Sequence, residues 1–270
     1  MLTLLDGPLG TELIARGVSC PAPLWSAAAL ETAPDLVRAV HAEYADAGAV
    51  VHTANTFRTS RRAAGPAWPR LTRQAVALAR EAAPTGRVAG SLAPLEDCYR
   101  PDLSPPDARD EHALLARCLA DAGVDLLLCE TFPHLGEALA AAQACVATGV
   151  ETWVSFTAGP DADLLTPEDV ARGAREVVHA GAVAVLVNCV PADRTLAFLK
   201  PLVGLGVPFG AYANAGPASI GIGWSPSADG PARYADHVED WVALGATLIG
   251  SCCGCGPAHT RELKRRFGGR

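Results

Sequence analysis

The stretch "TPEDVARGAREVVHAGAVAVLVNC", residues 166–189, holds one structural unit and decides how the rest of the chain is read. It opens on Thr-Pro, a helix start signal, because the proline ring sets the backbone angle that a first helical residue needs. Apolar residues then recur at helical spacing as far as Gly181, where the pattern stops. The last eight residues, "AVAVLVNC" (182–189), are apolar with almost no alternation, as expected of a parallel strand buried on both faces. A helix that runs straight into such a strand is half of a β/α repeat.

The same unit recurs along the chain. Apolar runs stand at "LTLLD" (2–6), "AVVHTAN" (49–55), "RVAGSL" (87–92), "VDLLLCET" (124–131), "TWVSFT" (152–157), "AVAVLVNC" (182–189), "PFGAYAN" (208–214) and "ATLIGSCC" (246–253). Helical stretches such as "PDLVRAVHAEYADAG" (34–48) and "DEHALLARCLADAG" (110–123) lie between them. Eight units in 270 residues suit a TIM barrel, which typically takes about 250 residues. A doubly wound open sheet normally uses fewer strands, and the glycines of "DGPLGTEL" have the wrong spacing for its phosphate turn. The expected fold is α/β, a single (β/α)8 TIM barrel with residues 1–270 as one domain.

Composition narrows the function. Half of the residues are hydrophobic, 19% are charged, and the formal charge is −7. With its arginines scattered, the chain lacks the concentrated basic face that nucleic acid requires, so small-molecule partners are expected. No run approaches the ~18 apolar residues of a membrane span. The start, "MLTLLDGPLGTEL", has no basic n-region of a secretory signal, which points to the cytoplasm. There, nine cysteines serve metal binding, catalysis or packing rather than disulfides. Cys118, Cys129 and Cys145 fall inside apolar patterns and read as packing.

A barrel does its chemistry where strands end. The irregular stretches 7–29, 93–106 and 215–231 follow strands and belong to that face. Strand 1 ends at Asp6, strand 2 near Asn55, strand 4 at Glu130, strand 6 at Asn188 and Cys189, strand 7 at Asn214 and strand 8 at Cys252 and Cys253. Three thiols from strands flanking strand 7 form three corners of a tetrahedron. Thiolates favour zinc, and a three-ligand site keeps one position open, as catalytic zinc does. A four-ligand structural site through Cys252 and Cys255 is the alternative, although Cys255 lies past the strand in a glycine-flanked turn. Open, thiolate-rich zinc suits holding an incoming thiol as thiolate. Asp6 and Glu130 can hold the ammonium group of an amino-acid substrate, while backbone N–H groups of the "DGPLGT" turn, Gly7 among them, take its carboxylate. Either carboxylate can also serve as a simple turn cap.

"LLDGPLGTEL" (4–13), "ANTFRTS" (54–60), "CETFP" (129–133), "NCV" (188–190) and "GSCCG" (250–254) together resemble the zinc-dependent homocysteine S-methyltransferases. The resemblance implies a TIM barrel with Zn²⁺ on Cys189, Cys252 and Cys253, and homocysteine bound through sulfur with its amino group near Asp6 and Glu130. It makes Asn214 a candidate for a weak fourth ligand that leaves when the substrate thiol arrives. Asn55 and Thr11 match motif positions without an evident chemical role, and Thr11 is also a simple cap for "ELIARG". Where the family has Gly-Gly-Cys-Cys, this chain has Gly250-Ser251-Cys252-Cys253, with Cys255 as an additional thiol. At 270 residues it is expected to carry no folate or cobalamin module.

The activity implied is displacement at a methyl carbon, with homocysteine attacking a sulfonium donor such as S-methylmethionine or S-adenosylmethionine to give methionine. The proton leaves as the thiol binds, so no histidine is needed as a base; His52 and His259 read as structural. "CPAPLW" (20–25) and the 215–231 loop with Trp224 are candidates to close over the donor. Methylation of another thiol or selenol, and a non-catalytic zinc or thiol subunit of a larger methyl-transfer system, remain as alternatives.

Overall fold

All eight apolar runs become parallel strands in the computed structural model of the chain, which describes residues 2–215 and 230–269. The strands are β1 (Thr3–Leu4), β2 (Val51–Thr53), β3 (Arg87–Leu92), β4 (Leu126–Phe132), β5 (Thr152–Phe156), β6 (Ala184–Pro191), β7 (Phe209–Asn214) and β8 (Leu248–Ser251). They are followed in turn by α1 (Pro34–Asp46), α2 (Trp68–Ala82), α3 (Ala108–Asp121), α4 (Leu135–Val146), α5 (Pro167–His179), α6 (Ala192–Leu199), α7 (Gly230–Leu244) and α8 (Pro257–Phe267). The sheet order is β1-β8-β7-β6-β5-β4-β3-β2, and a bridge from Leu5 to Val51 joins its two edges. That closure excludes the open doubly wound sheet. The fold is the (β/α)8 barrel.

Local chemistry explains the elements. α5 starts at a capping box, with the Thr166 hydroxyl accepting from the Asp169 N–H and the Asp169 carboxylate accepting from the Thr166 N–H. Two donors that the helix leaves unpaired are thereby satisfied, and Pro167 supplies the first turn. The strands have little alternation because both faces are covered. Leu5, Val51, Leu128, Trp153, Leu186 and Leu248 fill the barrel interior. The opposite faces meet the helices in a larger apolar layer that includes Cys129 and Cys145, whose sulfurs lie 3.4 Å apart. These two thiols and the buried Cys118 pack as expected.

Sequence and structure differ mainly at strand ends. The regular part of β1 is two residues rather than five, and β2 spans three rather than seven. The 7–29 stretch contains a helix, Leu9–Ala15, so Thr11 lies within its first turn and does not cap "ELIARG". Trp224 and most of the 215–231 loop lie outside the described residues. Among those described, no helix is long and apolar enough to cross a membrane.

Candidate active site

Strand ends and the loops after β1, β2 and β3 enclose a cavity of about 600 Å³ at the C-terminal mouth of the barrel. Asp6, Gly7, Asn55, Glu130, Cys189, Cys252 and Cys253 all line it. One sulfur from each of the three cysteines lies within 4.8 Å of the others. Cys252 is 2.8 Å from Cys189 and 4.0 Å from Cys253. Metal–sulfur bonds of about 2.3 Å place tetrahedral ligands about 3.8 Å apart, so the three sulfurs are gathered at the scale of one ion. All nine cysteines are free thiols.

The backbone aims these groups. In β6, Ala184 and Leu186 point into the barrel, and simple alternation would send Cys189 toward the helices. Instead Cys189 adopts a left-handed φ of 53°, and the β6–β7 register shifts between Asn188 and Pro191. Thr131 does the same in β4, with φ 64° and a register shift between Cys129 and Phe132. Such backbone costs on the order of 1–3 kcal/mol per residue and persists where neighbours hold it. Asn188 supplies that hold: its amide oxygen accepts from the Thr131 N–H at 3.1 Å and the Ser155 hydroxyl at 2.7 Å, and its amide nitrogen donates to the Thr131 hydroxyl at 2.7 Å.

The carboxylates are buried and held by neutral donors. Asp6 accepts from the Thr53 N–H at 2.8 Å and the Thr53 hydroxyl at 3.1 Å. Burial pushes its pKa up to about 8, with proximity to Glu130 a further raising cause. His41 and His52 also approach Asp6, but burial lowers them to about 3 and about 4, so neither offers a counter-charge. Glu130 accepts from the Ser91 hydroxyl through one oxygen and from the Tyr212 hydroxyl at 3.0 Å through the other. Burial raises its pKa as well. Two buried acids with no basic partner fit a cationic group brought by a ligand.

Among the thiols, Cys253 has its pKa lowered well below the usual range by hydrogen bonding from Cys189 and Cys252. Cys252 is raised by its sulfur neighbours and burial. Sulfurs that compete for one negative charge suit a cation, which would favour the thiolate form of all three. Cys255 is buried outside the three-sulfur group, and burial raises its pKa.

The remaining expected residues divide. Gly7 is needed for space: a Cβ there would stand 2.7 Å from the Tyr44 ring and hydroxyl and 2.8 Å from Ser251 Oγ. Asn55 accepts from the Ser26 hydroxyl and donates to the Ser26 carbonyl, both at 2.8 Å, which ties the "CPAPLW" segment to the end of β2. Cys20, Pro23 and Trp25 of that segment line the cavity. Asn214 is buried next to Ala215, whose N–H donates to the Cys253 carbonyl at 3.0 Å. Its side-chain oxygen has no partner among the described residues. Thr11 also has a buried hydroxyl without such a partner, and neither Asn214 nor Thr11 is in the cavity lining. Sequence reading missed Thr53, Ser91 and Tyr212, which hold the carboxylates, and Phe57, Cys98 and Tyr99 of the cavity wall. For Ser91 and Tyr212 a signal existed: each points inward shortly before its strand ends.

Fold and site together define a barrel enzyme equipped to hold an amino-acid thiol. The profile of the homocysteine S-methyltransferases matches residues 3–267. The chain belongs to the homocysteine S-methyltransferase family. It is 35% identical to the homocysteine S-methyltransferase of Escherichia coli (strain K12), over 98% of this chain and 95% of that protein. The selenocysteine methyltransferase of Astragalus bisulcatus is 28% identical over 96% of this chain and 90% of its own. The metallated crystal form of the homocysteine methyltransferase MmuM from Escherichia coli superposes with a TM-score of 0.82 at 31% identity, covering 98% and 96% of the two chains. A carboxyl transferase domain of pyruvate carboxylase from Rhizobium etli, 14% identical with a TM-score of 0.58, shares only the fold.

Proposed function

We propose that this chain methylates homocysteine to methionine, using zinc held by Cys189, Cys252 and Cys253 and a sulfonium donor, S-methylmethionine or S-adenosylmethionine. The observation that carries this reading is the convergence of three sulfurs within 4.8 Å on the cavity wall. Cys189, Cys252 and Cys253 would hold the zinc, which would supply Lewis acidity to make a further thiol lose its proton near neutral pH. The unpartnered amide oxygen of Asn214 would be a replaceable additional donor to that metal.

The chain's own residues do the rest. Asp6 and Glu130 receive the substrate ammonium, and N–H groups of the turn at Gly7 receive its carboxylate. With the amino acid fixed at this end, its sulfur is directed to the cysteine group, and proximity replaces a bimolecular encounter. The homocysteine sulfur forms a bond to the methyl carbon as the donor's carbon–sulfur bond breaks. That electron pair stays on the donor, which departs as a neutral thioether, and the thiol proton, lost beforehand, passes to solvent. Trp25 and Phe57, whose rings meet edge to face at 5.8 Å, suit a cationic donor through cation–π attraction of about 1 kcal/mol.

The test is metal content after purification without added zinc, with the metal's sulfur coordination followed by X-ray absorption as homocysteine is added. One zinc that gains a sulfur is expected, together with methionine formation from a sulfonium donor. Absence of zinc, or four protein sulfurs from the outset, overturns the metal assignment. Likeness to a selenocysteine methyltransferase favours one second reading, a selenol acceptor; direct competition between homocysteine and selenocysteine separates the two.

A further inference from the structure

Asp6 has two neighbours that the proposed reaction leaves idle. His41 of α1 and His52 of β2 each bring a ring nitrogen to within 4.8 Å of an Asp6 carboxylate oxygen and of one another. Both rings are fully buried, and Asp6 is 5% exposed at the cavity wall. Helix α1 buries His41 on the same face as Val37, Val40 and Tyr44. Gly86 makes room for His52, because a Cβ there would stand 2.8 Å from its Nε2.

None of the four ring nitrogens has a hydrogen-bond partner among the described residues, although His52 lies close to the Ala49 carbonyl. A neutral imidazole carries one N–H and one bare nitrogen. Leaving such a group buried and unpaired costs about 1–3 kcal/mol, and in a native fold it calls for a bound water or ion. Asp6 retains acceptor capacity as well. Each of its oxygens takes one hydrogen bond from Thr53, which leaves each a second lone pair.

Two imidazoles and one carboxylate suit a divalent transition metal, whereas Mg²⁺ and Ca²⁺ take oxygen ligands. Zinc bonds nitrogen and oxygen at about 2.0–2.2 Å, so its tetrahedral ligands lie about 3.4 Å apart. The three side chains are gathered near that scale before any ion is bound. We propose that Asp6, His41 and His52 form a second metal site, separate from the three-cysteine group, which takes a divalent transition-metal ion such as Zn²⁺ when that metal is in excess. With one carboxylate against three thiolates it is the weaker of the two and fills only after the cysteines. An ion there occupies the carboxylate that would otherwise receive the substrate ammonium, so excess metal opposes homocysteine binding. That consequence rests on the proposed homocysteine activity; the site itself does not.

The experiment is titration of protein carrying one zinc with Co²⁺, with uptake measured by elemental analysis after desalting and coordination read from the visible spectrum. Cobalt on cysteine sulfur shows a sulfur-to-metal charge-transfer band, and cobalt on nitrogen and oxygen lacks it. The expected result for wild type is one further equivalent of cobalt without that band and without loss of zinc. His41→Leu and His52→Leu, each checked by thermal melting, are expected to keep the zinc and lose the cobalt. At a cobalt concentration ten times its own Kd, homocysteine KM rises roughly tenfold in wild type, as mass action requires of a competitor. No uptake by wild type, which would leave a trapped water in the site, overturns the proposal. So does a sulfur band with release of zinc, or cobalt retained by a folded leucine variant. Uptake with an unchanged KM overturns the competition with substrate. If cobalt binds as expected but homocysteine does not, the site stands and the activity assignment falls, so the two failures are distinct.

Discussion

The sulfurs of Cys189 and Cys252 lie 2.8 Å apart although 63 positions separate the residues in sequence. Barrel closure accounts for the approach, since β6 and β8 flank β7 and end at the same mouth. The left-handed backbone of Cys189 completes it, turning a residue that alternation would face outward into the cavity. A fold that stores strain to bring thiols together is organised around what they bind.

Cys189→Ser and Cys252→Ser are therefore expected to abolish stoichiometric zinc, whereas Cys255→Ser retains it. Elemental analysis of each purified variant decides this. A full zinc equivalent in either of the first two would refute the ligand set.

Glu130→Gln removes a charge while keeping an oxygen for Ser91 or Tyr212. Hydrogen bonds to charged groups contribute about 1.5–3 kcal/mol, so homocysteine binding is expected to weaken roughly 10- to 100-fold with little change in melting temperature. An unchanged Kd by calorimetry would remove Glu130 from the ammonium site.

Asp6→Asn makes a pH-dependent prediction. Burial raises Asp6 from 3.8 to about 8, so between those values the native protein binds more protons than the unfolded chain. Stability contributed at this position therefore falls as pH rises through the window. The asparagine variant is expected to gain melting temperature over wild type, with the gain absent near pH 3.8, growing across the window and full above about 8. Its homocysteine binding is expected to be weaker than that of wild type, because the ammonium loses a carboxylate partner. Melting scans across pH test the sign; a gain confined to acid pH contradicts it.

Gly7→Ala places a Cβ 2.7 Å from the Tyr44 ring and hydroxyl and 2.8 Å from Ser251 Oγ. Overpacking of this kind costs about 1–3 kcal/mol. Because Ser251 precedes Cys252, a weakened zinc affinity is expected with the lower melting temperature. Unchanged values for both would show that the mouth yields without penalty.

Asp6, Glu130, Cys189, Cys252 and Cys253 were legible as a group because strand order and strand ends follow from local apolar patterns. Their shared destination needs only the barrel rule. Tyr99 was not legible in the same way. It stands in an irregular loop without periodicity, and the backbone just before it is held by Arg58 and Glu137, which come from other parts of the chain.

Residue order alone settled that eight buried parallel strands alternate with helices, and that thiols and carboxylates close several of them. Those outcomes depend on short-range periodicity and on where each run stops. Three-dimensional packing settled the rest: that Cys189 turns inward, that Ser91, Tyr212 and Thr53 hold the carboxylates, and that burial pushes the pKa of Asp6 up to about 8. Each of these depends on groups far apart in the chain and on the exclusion of water, which exist only once the barrel has closed.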